Sequence, residues 1–188
     1  MRRLYVLVGL LVLLAAGPAS AGKFTVEMPL DTYIDAEDAS ESFSEEETLW
    51  ATSAEGEPIR IIYLNFNNNF GTVGVFSPDQ VESAQLKIYA SDVEVPGEMD
   101  IYFSEGSIID IDWDNMLEYE TNESVSLEVD EEGEYSVDVT PLIKRAREAC
   151  PEDCGYSLVL VAKDDASVGF ASSESSEDEP ELEFTTAE

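Results

Sequence analysis

Apolar residues recur at every second position in one short run after another, and that spacing confines most of the chain to strands. Ala84, Leu86 and Ile88 alternate with Gln85, Lys87 and Tyr89, and Tyr135, Val137 and Val139 alternate with Ser136 and Asp138. Successive side chains of a strand point to opposite faces, so each such run buries one face and wets the other. Further candidate strands are "KFTVEM", "DTYIDA", "LWAT", "PIRIIYLNF", "EMDIYF", "VSLEV", "VGFAS" and "ELEFT". "YSLVLVA", at 156–162, is apolar on both faces and reads as a central strand. Short strands separated by acidic, Gly and Ser turns predict an all-β fold, an antiparallel jelly-roll-like β-sandwich.

One short helix interrupts the pattern near 140–149. "VTPLIKRAREAC" offers Thr140 as N-cap, Pro141 at the first helical position, and Lys144, Arg145 and Arg147 toward the negative end of the helix dipole. These three cations form the one basic cluster, so an anionic ligand is weighed there against a purely local role. Asn65 to Asn69 and Ser172 to Pro180 read as loops.

Arg2 and Arg3 precede an apolar run from Leu4 to Ala16, which ends in Gly17-Pro18-Ala19-Ser20-Ala21. The run is too short to span a bilayer and its small-residue exit suits cleavage. Residues 1–21 are therefore expected to be a signal peptide, and 22–188 a single β-sandwich domain that is secreted or held at the cell surface, without membrane insertion after cleavage. In that oxidising setting Cys150 and Cys154, in "CPEDCG", are expected to close a small disulfide loop. Asn122-Glu123-Ser124 is a glycosylation sequon, read as lying between strands.

Charge and histidine content remove whole classes of function. The chain carries 42 carboxylates against nine basic residues, a formal net charge of −33. It repels nucleic acid, and it repels free anionic polysaccharide unless salt or multivalent cations intervene. There is no histidine, so neither a Ser-His-Asp nor a Cys-His arrangement can be built, nor the usual Cys/His zinc site. No G-x-S-x-G, phosphate loop or dinucleotide fingerprint is present, and the chain is not expected to be an enzyme.

Two kinds of binding chemistry remain. Flat aromatic faces pack against pyranose rings, with a few hydrogen bonds fixing orientation. The candidates are Trp50, Trp113, Tyr33, Tyr63, Tyr89, Tyr102 and Tyr119, with Trp113 and Tyr119 favoured because they lie in an irregular acidic segment. Calcium is the one candidate cofactor. In "DIDWDN", Asp110, Asp112 and Asp114 match the first half of an EF-hand loop, whereas Asn115 and Thr121 stand where the glycine and the bidentate glutamate belong. Asp31, Asp35, Glu37 and Asp38 are alternative oxygen ligands.

Several pieces, taken in order, resemble the DNRLRE domain family, also described as carbohydrate-binding module family 96. They are "DTYIDA", "IRIIYLNF", "VESAQLKIYA", "DWDN", "YSVDVTPLIK", "GYSLVLVA" and "VGFASSES…PELEF", spanning nearly everything after the leader. The resemblance implies a secreted jelly-roll sandwich that binds carbohydrate without cutting it. The leading expectation is thus a secreted non-catalytic carbohydrate-binding module with a polysaccharide partner. The alternative is a structural cell-surface or matrix protein that self-associates through strand edges, "KFTVEM" among them, or through cation bridges.

Overall fold

A computed structural model describes residues 22–28, 30–66, 75, 77–149, 154–176 and 178–187. The proposed signal peptide and Cys150 lie outside the described residues. Among the described residues, eleven antiparallel strands fall on the runs anticipated from the apolar patterning: β1 (Lys23–Glu27), β2 (Leu30–Asp35), β3 (Thr48–Ala54), β4 (Glu57–Phe66), β5 (Val81–Val95), β6 (Gly97–Glu105), β7 (Glu120–Val129), β8 (Gly133–Asp138), β9 (Tyr156–Ala162), β10 (Ser167–Ala171) and β11 (Glu181–Thr186). Among the described residues a single α-helix, α1 (Thr140–Ala149), follows β8.

The strands belong to one hydrogen-bonded sheet that curls into two facing layers, with β2 and β8 branching from its main path. In the first, β5 is the spine. β8 pairs with one edge of it, and β11 and β10 lie end to end along the other. The 172–180 loop separates these two, while β1 and β3 continue the layer outside them. The β3–β4 hairpin turns through Glu55 and Gly56, both at positive φ (55° and 79°), as a two-residue turn of the primed kind requires. Beyond Arg60, β4 enters the second layer, ordered β2-β4-β9-β6-β7. β9 sits between β4 and β6 with every residue buried, the central place its two apolar faces called for.

The main core fills the space between the layers. Leu86, Ile88, Val137, Leu182 and Phe184 come from the first layer, and Ile62, Leu64, Ile101, Leu158 and Leu160 from the second. Leu142, Ile143 and Ala146 of α1 join the same core. The helix starts one residue earlier than its capping pattern suggested, because the Ile143 N–H already donates to the Val139 carbonyl at 3.0 Å. Thr140 is consequently the first helical residue, and its N–H donates to the Asp138 carboxylate at 2.9 Å. Its hydroxyl oxygen accepts the Ala84 N–H of β5 at 2.8 Å, tying helix to sheet. The Thr140 hydroxyl also donates to the Asp138 carboxylate at 2.5 Å, and this bond, with the one from the Thr140 N–H, holds the Asp138 carboxyl below its ordinary pKa.

Three other sequence readings shift. Asn65 belongs to β4 rather than to a loop, and residues 67–69 lie outside the described residues. Asn122 is inside β7, where Ile101 pairs with Val125 and Phe103 with Glu120, so the sequon rides on an exposed bulge of an edge strand. "KFTVEM" is paired through β1 to β11 of its own chain. Among the described residues, no helix is long and apolar enough to cross a membrane.

Gly169 shows how closely the first layer is fitted. It pairs with Trp50, and a Cβ there would meet Thr48 Cγ2 at 2.8 Å and the indole at 3.3 Å. Gly169→Ala is expected to cost about 1 to 2 kcal/mol, because the ring and the threonine must both move. Urea unfolding measures the loss, and Trp50 fluorescence in a Trp113→Phe background reports the displaced ring.

Candidate functional site

Two surfaces offer chemistry, one on the outer face of each layer. On the first layer, an open groove of about 400 Å³ runs between β5, β8 and the 172–180 loop, lined by Lys87, Tyr89, Glu134, Asp178, Glu179 and Glu181. Its lysine is already engaged, since Lys87 Nζ lies 2.7 Å from Glu183. What remains is one tyrosine among carboxylates, with hydrogen-bond acceptors in excess and a single ring to stack on.

The second layer is organised differently, because its outer face is apolar where a solvated strand face would be polar. Ile34 of β2, Ile61 and Tyr63 of β4, and Val159 and Val161 of β9 point away from the main core. Residues 106–119 fold back over them and contribute Ile108 and Ile111, forming a satellite core. The start of this segment is held by a close backbone approach: Gly106 donates to the Gly155 carbonyl at 3.0 Å, and a Cβ on Gly155 would lie 2.7 Å from the Gly106 oxygen. Further along, the Asp114 N–H donates to Ala39 beyond β2 (3.2 Å). Tyr63 Oη donates to the Leu117 carbonyl (2.8 Å) and Ser104 Oγ to the Glu118 carbonyl (2.8 Å).

"DIDWDN" is the far side of this cover. Ile111 is its buried anchor, and residues Trp113–Asn115 form one helical turn. Asp112 and Asn115 satisfy each other: Asp112 Oδ1 accepts the Asn115 N–H (3.0 Å) and Asn115 Oδ1 accepts the Asp112 N–H (3.0 Å). Asn115 Nδ2 also donates to Asp112 Oδ2 at 3.2 Å. Both Asp112 oxygens therefore serve the turn, Asp110 stands exposed at φ 58°, and the three aspartates are not gathered around one point. Among the described residues, no group of three or more metal-binding side chains is so gathered.

The aromatic candidates separate clearly. Trp113 and Tyr119 both border the satellite core, half-buried, together with Tyr102 of β6. Tyr102 and Tyr119 stand with ring centroids 5.1 Å apart, tilted by 34°. Burial raises both phenol pKa values, and nearby Asp100 raises that of Tyr102 further, so both keep their protons. Tyr102 Oη donates to Asp100 Oδ2 (3.2 Å), whose other oxygen accepts from Ser126 Oγ (2.8 Å). Lys163 Nζ bridges Glu98 (2.6 Å) and Asp100 (3.3 Å). A rim of fixed donors and acceptors thus adjoins the rings.

Tyr33 is elsewhere, buried in the main core and stacked on Phe43 at 4.3 Å, with no face open to a ligand. Trp50 lies against Gly169 on the first layer. The basic cluster of α1 is dispersed: Arg145 makes a two-pronged contact with Glu120 (2.8 and 2.7 Å), whereas Arg147 is buried and donates to Tyr156 Oη. Half-buried Cys154 packs on the main core.

The cover depends on Tyr63, whose hydroxyl reaches a backbone carbonyl that nothing else in strand pairing would satisfy. Tyr63→Phe keeps the ring and leaves that carbonyl without its donor, at an expected cost of about 1 kcal/mol. Faster amide exchange confined to 106–119, with β9 unchanged, is the expected signature; uniform exchange throughout would show that the bond does not hold the segment. Compared with known protein families, residues 23–186 match carbohydrate-binding module family 96. No curated protein matches the chain.

Proposed function

Because the chain belongs to carbohydrate-binding module family 96, we propose that it is a secreted, non-catalytic module that binds an extracellular or cell-surface polysaccharide through the outer face of its second layer. The observation that carries this reading is the placement of Trp113, Tyr102 and Tyr119 along the margin of the satellite core. Their exposed parts offer flat faces to the apolar faces of sugar rings, while Asp100, Ser126 and Lys163 supply directional hydrogen bonds. The Asp114–Ala39 bond holds the Trp113 turn on the β2 side, and the Ser104–Glu118 bond holds Tyr119 on the β6 side. A polymer lying across the strands meets both.

The net charge of −33 favours a neutral or cationic glycan over a free polyanion. Within the same reading, the leader is cleaved after Ala21 and Cys150 pairs with Cys154 outside the cell, stiffening the connection into β9. Pull-down with insoluble cellulose, pectin, alginate and cell-wall preparations, across salt and calcium concentrations, tests the proposal. Saturable retention on at least one polymer, without release of reducing ends, is expected. Absence of retention under every condition sinks it.

A further inference from the structure

We propose that the carboxylate of Asp31, together with Glu174 and backbone carbonyls of residues 172–176, holds a divalent cation, calcium by its chemistry, that fastens this stretch to the edge of the second layer. Asp31 lies on β2 opposite Leu64, on the face that looks toward the main core, and is 3 % exposed. Its Oδ2 accepts the Ser173 N–H at 2.7 Å, whereas its buried Oδ1 has no partner among the described residues. Two positions along the same strand face, Asp35 shows what a satisfied carboxylate looks like here. One oxygen pairs with Arg60 at 2.6 Å and the other accepts the Glu37 N–H at 2.9 Å.

A buried carboxylate oxygen without donor or cation is costly, and the groups within electrostatic reach of Asp31 make matters worse, because Glu174 and Glu179 are also acidic. A bound cation removes both penalties. The loop is already folded tightly around the position: Ser172 is fully buried, its N–H donates to the Glu47 carbonyl, and Ser172 Oγ accepts the Glu174 N–H at 3.1 Å. Oxygen is the only donor type offered, which selects a hard ion. No three carboxylates among the described residues are gathered in advance, so the remaining ligands are carbonyls and water, a mixture calcium accepts and magnesium, with its strict octahedron, does not.

This site requires nothing of the glycan-binding face, and its test contains no glycan. Chelator-treated protein is melted at pH 8 in about 0.5 M NaCl, which suppresses diffuse binding to the acidic surface. Added CaCl2 is expected to raise Tm by about 5 to 10 °C at a hundredfold excess over Kd, saturating as a single site. Asp31→Asn abolishes the rise. Glu174→Gln, which leaves the Asp31–Ser173 bond in place, weakens apparent calcium affinity about tenfold or more. Asp130→Asn, on the exposed β7–β8 turn, leaves the response intact. An equal rise in Asp31→Asn, no saturable rise in the wild-type chain, or an equal rise with magnesium overturns the proposal.

Discussion

In chelator, Asp31→Asn gains stability relative to the wild-type protein as pH rises from 3 to 7, by about 3 kcal/mol across the interval. Burial is the chief cause: it lifts the Asp31 carboxyl from 3.8 to about 6, with Glu174 and Glu179 adding to the rise and the Ser173 hydrogen bonds opposing it. The folded protein binds this proton more tightly than the unfolded chain does. Its contribution to stability is therefore complete below pH 3.8 and is lost as pH climbs through about 6. The span from 3.8 to about 6 corresponds to about 3 kcal/mol. Glu98, Glu120, Asp138 and Glu183, whose pKa values are lowered by hydrogen-bonded partners, act in the opposite direction, losing their contributions as pH falls. They are common to both proteins and cancel in the difference. Urea unfolding at half-unit pH steps measures it, and parallel stability curves for the two proteins would show that Asp31 does not titrate as a buried group. Calcium and protons compete for the same oxygens, so the calcium-induced rise in Tm is expected to fade below about pH 6.

Strand positions were legible because period two is a local signal. In β5, Leu86 and Ile88 alternate with Lys87 and Tyr89, and the first set is buried in the main core while the second lines the outer groove. The helix near 140–149 was legible for the same reason; only its cap moves, because the Asp138 carboxylate, not the Thr140 hydroxyl, receives the first free N–H. Alternation could not disclose the satellite core. Ile34, Ile61 and Tyr63 occupy the alternate, outward set of β2 and β4, and their burial depends on a segment more than about 40 residues away, 106–119, folding back over them. Apolar residues on both faces of "IIYL" and "YSLVLVA" were the available signal that an outer face would be covered, yet they name no partner. Asp31 was legible only as one of four acids near the start of the chain. What distinguishes it from Asp35 is Arg60, paired across the strand with one and not the other. Likewise "DIDWDN" has the spacing of an ion loop, but Asn115, in the place of the expected glycine, consumes the middle aspartate as a turn partner.

Tyr102→Ala and Trp113→Leu are each expected to weaken retention on the preferred polysaccharide by about 10- to 100-fold, the range for central aromatic contacts at binding surfaces. The two substitutions isolate different things. Tyr102 stands half-buried on β6 and meets Tyr119, so alanine removes a stacking surface and frees Asp100 from one of its donors. Trp113 rests against the satellite core, and leucine retains apolar contact there while removing the flat ring. Thermal melting of both variants within a few degrees of wild type would separate loss of ligand contact from loss of fold. Tyr89→Ala, in the acidic groove of the first layer, serves as the opposing arm. Unchanged affinity in that variant, beside weakened affinity in the other two, places the sugar on the second layer. The reverse pattern would move the site to the groove, where one ring and a row of carboxylates would have to do the binding. If all three variants bind like wild type, neither outer face carries the ligand, and the aromatic margin of the satellite core is packing alone.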